Sequence, residues 1–209
     1  GKRIAMPFNS TTHFHTMVAL DQAKINPADV KILNMRPPEV RAAWQRGDID
    51  ATFIWDPVLA EAKKDGTVVI TSGQITAATG KATFDGYVAN KDWAKANRDF
   101  MVKFVKVMAD ADSKYRNGGK NWKPDGAEVK AIAKWSGSKP EDVPAAIALY
   151  KFPSAKEQAT RWLGGGKAAI AAKALAATAE FQLSQKQIEK TLPDYSAVVN
   201  ASYAAEVAK

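Results

Sequence analysis

At 209 residues and 46% hydrophobic side chains, the chain is long enough to bury a core and too apolar to be disordered. Its lack of Cys excludes disulfides, thiolate nucleophiles and Cys-based metal sites, and with only His13 and His15 a His-rich metal centre is not expected. The net charge of +8 sits mostly in the second half: residues 95–209 carry 19 basic and 12 acidic side chains, against 11 and 10 in residues 1–94.

A basic half invites a nucleic-acid reading. The lysines, however, are scattered along Ala-rich stretches at Lys103, Lys106, Lys114, Lys130, Lys134, Lys167 and Lys173, with no Arg cluster and no recognition-helix pattern. A solvated helix face accounts for them, so no nucleic-acid partner is expected. No apolar run approaches the length needed to cross a bilayer, so the chain is not expected to span one. Any targeting segment is expected to lie outside the sequence, which opens at Gly1.

Residues 2–13 (KRIAMPFNSTTH) read as a strand running into a helix. Pro7 ends the apolar run, and Asn9, Ser10, Thr11 and Thr12 prefer helix caps. The first N–H groups of a helix lack internal acceptors and carry the positive end of its dipole, so the corner is either simply capped or a seat for an oxyanion. His13 and His15 lie two apart on that helix and point in different directions; one can be a ligand contact, but both cannot bind one metal.

Residues 12–24 carry apolar positions at helical spacing, and 30–34 alternate like a strand. A helix opens at Pro37-Pro38 and ends before Gly47. Residues 48–55 (DIDATFIW) read as a third strand, Asp56-Pro57 as the start of a helix to about Lys64, and 68–70 as a fourth strand. This alternation predicts a parallel α/β sheet, with ligands outside the carboxyl ends of its strands, near Ser10, Asn34 or Met35, and Trp55. Residues 71–81 read as a loop and 83–90 (TFDGYVAN) as a further strand. Within it, Asp85 requires a cation if buried, whether from a ligand or a local salt bridge, and none if it lies at the surface.

From Lys91 onward only helices are expected: 92–96, 99–115, 124–135, 141–149, 156–163, 167–183 and 197–207, divided by Gly, Pro and Ser clusters. A helical half without strands either packs on the first half or awaits strands from elsewhere.

Taken together, GKRIAMPFNSTTHF, RPPEVRAAWQRGDIDATFIWDP, KKDGTVV and ATFDGYVANKDWAKAN resemble the solute-binding proteins of taurine ABC importers, within the aliphatic-sulfonate and nitrate binding group. The resemblance continues more loosely through SGSKPEDVPAAI to TLPDYS. It implies an α/β class chain with the type II periplasmic binding protein fold. Residues 1–90 would form an α/β second lobe, and 91–209 the helical part of the first lobe, whose N-terminal strands are absent from this sequence.

The same resemblance implies a periplasmic location, an ABC permease as partner, no enzyme activity, and neither metal nor cofactor. It assigns Ser10, Thr11 and Thr12, with Asn9 and His13 beside them, to the donors around a sulfonate, Trp55 to an aromatic wall, and Asp85 to the acceptor of the substrate ammonium. Trp55-Asp56-Pro57 also resembles the aliphatic-sulfonate branch, with Asp56 expected to cap its helix; an alkanesulfonate or other small anion is the alternative ligand. A pyrimidine-precursor synthase of the same fold is disfavoured because those enzymes depend on a Cys-rich iron site. A ligand-sensing domain of a regulator remains the other alternative, although no helix-turn-helix is visible.

Overall fold

The structure, a computed structural model, describes all 209 residues. By their internal contacts these form two compact units, Gly1–Thr83 with Lys123–Ile147 and Phe84–Trp122 with Ala148–Lys209. Residues 123–147, assigned with the helical half on sequence, thus group with the α/β unit.

In the first unit, β1 (Arg3–Met6) is flanked by β2 (Lys31–Asn34) and β3 (Ala51–Thr52) in a parallel sheet of order β2-β1-β3. Ile4 lies opposite Ile32 on one side and Ala51 on the other. At the amino end of the sheet, the backbone and guanidinium of Arg3 both donate to Asp50, at 2.8 and 3.0 Å. Those hydrogen bonds hold the Asp50 carboxyl down at about 2.

Helix α1 (Thr11–Gln22) follows β1, and α2 (Pro37–Arg46) follows β2. The second helix starts at the expected prolines and stops at Gly47, whose φ of 72° is the left-handed conformation a C-terminal glycine supplies without strain. Val40 and Ala43 of α2 pack with Ala5, Ile49, Ile54 and Val58 into the core, backed by Leu33, Met35, Trp44 and Leu59. After β3 come α3 (Val58–Ala62) and α4 (Ser72–Thr79). Further along the chain, α7 (Ala127–Ser136) and α8 (Val143–Ile147) complete this unit, burying Val129 and Val143.

Three expectations fail in this unit. The strand read over 48–55 contracts to two residues, and 68–70 is not a strand: Val68 and Val69 are 55% and 89% exposed and have no strand to pair with. Alternating apolar character favours a strand only where a partner completes its ladder. The stretch read as a loop over 71–81 contains α4, opened by a capping box between Thr71 and Gln74 and closed at Gly80.

Gly66 ends the α3 turn against Trp44, where an added Cβ would stand 2.7 Å from the Ala62 carbonyl oxygen and 2.8 Å from the indole. Gly66→Ala is therefore expected to destabilise the fold by about 1–3 kcal/mol. A urea midpoint unchanged from wild type would show that this turn relaxes freely.

From Lys91 onward the second unit contains no strand, as expected. It comprises α5 (Lys91–Ala96), α6 (Arg98–Gly118), α9 (Ala155–Glu157) continuing into a wider π turn at Gln158–Trp162, α10 (Ile170–Ser184) and α11 (Ser202–Val207). Helix α11 packs on α6, tied by Arg98 to Glu206 at 2.6 Å with the guanidinium over Tyr203. Residues 83–90, read as a strand, join no sheet.

Candidate functional site

The carboxyl end of β1 runs through Pro7 into the start of α1. Asn9 takes a left-handed φ of 58°, which its short polar side chain tolerates, and so turns the chain into the helix. Ser10 is the N-cap: its hydroxyl donates to the Pro7 carbonyl at 2.5 Å and accepts the His13 N–H at 3.3 Å. With the Ser10 proton committed, the Thr12 hydroxyl, 2.8 Å away, donates to Ser10. Two of the three hydroxyls therefore hold the corner together. The third, on Thr11, is exposed and has no partner in the protein.

Above that corner, the amides of Thr11 and Thr12 find no acceptor in the chain; the first intrahelical bond runs from Phe14 N–H to the Ser10 carbonyl. The first turn of α1 also has no acidic residue, whereas α2, α3, α5, α6 and α7 each place one there. The Thr11 and Thr12 donors are thus unengaged within the protein, at the positive end of a 12-residue helix with no acid in its first turn.

His13 lies in the same turn. Its ring stacks on Phe8 with centroids 4.4 Å apart, and its Nδ1 accepts the Asn9 N–H at 3.3 Å, which leaves the proton on Nε2. Burial holds the imidazole below its usual pKa and hence neutral. Asn9, Ser10, Thr11, Thr12 and His13 are thus brought together. Asn34, at the end of β2, fixes the approach by accepting the Phe8 N–H at 2.9 Å.

Trp55 follows β3, beside β1 in the sheet, and is 37% exposed. The next residue, Asp56, stands one position before the N-cap Pro57 and accepts the Ala60 N–H of the first helical turn at 3.0 Å, and its burial raises the pKa of its carboxyl. Asp85 belongs to the second unit. It lies outside any strand and is exposed, with no hydrogen bond or ion pair in the protein, so the buried, cation-paired carboxylate considered on sequence is not found. Water solvates a carboxylate in that position and no partner is demanded.

Sequence reasoning weighed His15 as a ligand contact and missed its structural role. Its side chain is 1% exposed and joins α1 to α4: Nε2 donates to the Lys81 carbonyl at 3.1 Å and Nδ1 accepts from the Ser72 hydroxyl at 3.0 Å. Those partners lie in the stretch read as a loop, which hid the clamp. The signal was present as the T-x-x-Q spacing of Thr71 and Gln74.

Solved structures of the type II periplasmic binding protein fold superpose on this chain. The periplasmic aliphatic sulphonate binding protein SsuA from Escherichia coli aligns with a TM-score of 0.72 at 20% identity, over 98% of this chain and 64% of its own. The alkanesulfonate-binding SsuA from Xanthomonas axonopodis pv. citri, bound to MOPS, aligns at 0.62 and 23%, over 98% and 62%.

The chain belongs to the NMT1-like family, whose profile matches residues 1–135. It is 34% identical to the taurine-binding periplasmic protein of Escherichia coli (strain K12) over 203 residues, 97% of this chain and 62% of that relative's length. A putative aliphatic sulfonates-binding protein of the same organism is 30% identical over 118 residues, which is 56% of this chain and 36% of that protein.

Proposed function

We propose that this chain carries the anion-holding part of a periplasmic solute-binding protein that captures taurine or a related small sulfonate and delivers it to an ABC importer, without chemical turnover. The observation that carries this reading is the start of α1, where the Thr11 and Thr12 amides and the Thr11 hydroxyl have no partners in the protein. A sulfonate stays ionised and only accepts hydrogen bonds, so it matches a corner that offers only donors. Charge-assisted hydrogen bonds of this kind contribute about 1.5–3 kcal/mol each. The names of the relatives, taurine-binding and aliphatic sulfonates-binding, support the ligand class, and as binding proteins they support a role without catalysis.

In this proposal Ser10 is a positioning residue, Thr11 and Thr12 donate to the sulfonate, Asn9 and His13 shape the corner, and Trp55 supplies an aromatic surface. Asp85 is assigned to the ammonium of taurine, consistent with its being exposed and unpaired. The α/β unit, Gly1–Thr83 with Lys123–Ile147, is read as belonging to the second lobe, and Phe84–Trp122 with Ala148–Lys209 as part of the first.

Titration calorimetry with taurine, ethanesulfonate and sulfate tests the reading. Saturable heat is expected for the two sulfonates, and its absence for both, whether or not sulfate binds, would refute the function. Asp85→Asn is expected to cost taurine about tenfold to a hundredfold and to leave ethanesulfonate nearly unchanged. Equal losses for both ligands would remove Asp85 from the site.

A further inference from the structure

An Asp or Asn side chain can close a cyclic imide on the amide nitrogen of the next residue, most readily when that residue is Gly and has no Cβ in the way. The sequence holds four such pairs: Asp65-Gly66, Asp85-Gly86, Asn117-Gly118 and Asp125-Gly126. To react, the glycine N–H must leave any acceptor it has and turn onto the neighbouring side chain. A hydrogen bond to that N–H therefore opposes the ring closure.

Three of the pairs are held. The Gly66 N–H donates to the Ala62 carbonyl at 2.9 Å, and the Asp65 carboxylate accepts the Trp44 indole N–H at 2.7 Å. The Gly126 N–H donates to the Lys123 carbonyl at 2.9 Å. Asn117 and Gly118 lie in the last turn of α6, where backbone N–H groups point back to helix carbonyls, and the Asn117 amide donates to the Ser113 hydroxyl at 3.3 Å. Asp85-Gly86 is not held. Both residues are exposed and lie outside any helix or strand. The Asp85 carboxyl has no partner, the Gly86 N–H has no acceptor, and no backbone N–H between Gly80 and Ala94 reaches a backbone carbonyl.

We propose that Asp85-Gly86 is a site of spontaneous covalent modification, at which Asp85 converts to isoaspartate through a cyclic imide. The Gly86 nitrogen attacks Cγ of the protonated Asp85 carboxyl. A C–N bond forms, a C–O bond breaks, and the departing hydroxyl leaves with the amide proton as one water. Water then opens the imide at either carbonyl. Breaking the new bond to Cγ restores aspartate. Breaking the original bond to the main-chain carbonyl carbon of Asp85 routes the backbone through Cγ and leaves the free carboxylate on Cα. The water lost is regained, and no oxidant or reductant takes part. The backbone gains a methylene, and the carboxylate stands one methylene closer to it. The consequence for ligand rests on the assignment of Asp85 to the taurine ammonium: isoaspartate withdraws that acceptor and leaves a sulfonate without an amine unaffected.

The test ages the 209-residue chain at physiological temperature and pH in water enriched in heavy oxygen. Its peptides are then mapped by mass and by resistance to a protease that cleaves before aspartate but not before isoaspartate. Heavy oxygen and resistance are expected to accumulate first at Asp85, and more slowly at Asp65, Asn117 and Asp125. Gly86→Ala, whose Cβ would meet only the Phe84 ring, at 3.2 Å, is expected to slow the conversion several-fold. Asp85→Glu, which would have to close a larger ring, is expected to abolish it. No isoaspartate at Asp85, conversion as fast at Asp65 or Asp125, or a Gly86→Ala rate equal to wild type would overturn the proposal. Calorimetry on the aged fraction reads the consequence separately: taurine is expected to lose about tenfold to a hundredfold in affinity, with ethanesulfonate unchanged. Isoaspartate at Asp85 with taurine affinity intact would uphold the modification and remove Asp85 from the ammonium.

Discussion

Thr11→Asp is expected to weaken sulfonate binding by about 100-fold while slightly raising the melting temperature. Thr11 is exposed at the first position of α1, whose first turn holds no acid, so a carboxylate there meets the positive end of the helix. That encounter stabilises a helix by about 0.3–1 kcal/mol, or about 1–4 °C for a chain of this size. The same carboxylate occupies the donors that a sulfonate needs and repels it. Losing one charge-assisted bond and adding repulsion corresponds to about 3 kcal/mol, or roughly 100-fold. A simple cap predicts only the stability gain. Calorimetry and thermal melts on the one variant separate the two roles, and unchanged affinity would return the corner to a purely structural part.

Much of this corner was legible because its residues act locally. Pro7, Ser10 and the apolar spacing of α1 determine a strand, a cap and a helix within about a dozen residues, as Pro37-Pro38 and Gly47 do for α2. Which hydroxyl remains available was not legible. Ser10, Thr11 and Thr12 are equivalent on paper, and only the 2.5 Å bond to Pro7 and the 2.8 Å bond between Ser10 and Thr12 single out Thr11. The strands read at 68–70 and 83–90 had the right composition, but a strand is completed by its partner, and pairing is a property of distant residues. Helix α4 was hidden for the opposite reason: it buries only Ile75, so it has almost no apolar period to read.

The largest expected loss of stability belongs to His15→Ala. Removing a side chain that is 1% exposed leaves a cavity and strands both the Lys81 carbonyl and the Ser72 hydroxyl, at a cost of about 3–5 kcal/mol. The pH dependence separates the ring from its volume. Burial lowers the His15 pKa in the folded chain, as it does for His13, so the unfolded chain takes up protons first as the pH drops. The contribution of each neutral imidazole is therefore complete above the ordinary histidine pKa of about 6.5. It is lost as the pH falls from there through the folded-state value. His15→Phe, which keeps a ring of similar size, is expected to show a shallower fall in melting temperature between pH 8 and 5.5 than wild type, because only His13 still contributes. Parallel pH profiles for the two proteins would contradict the assignment.

The account stands on an anion held by backbone donors at the start of α1. Amide NMR shifts of Thr11 and Thr12 during titration with ethanesulfonate report on those donors directly. Both resonances are expected to move downfield, further than any others in the chain, and to saturate together with the calorimetric curve. Saturable binding with the two amides unmoved would place the sulfonate elsewhere and contradict the account.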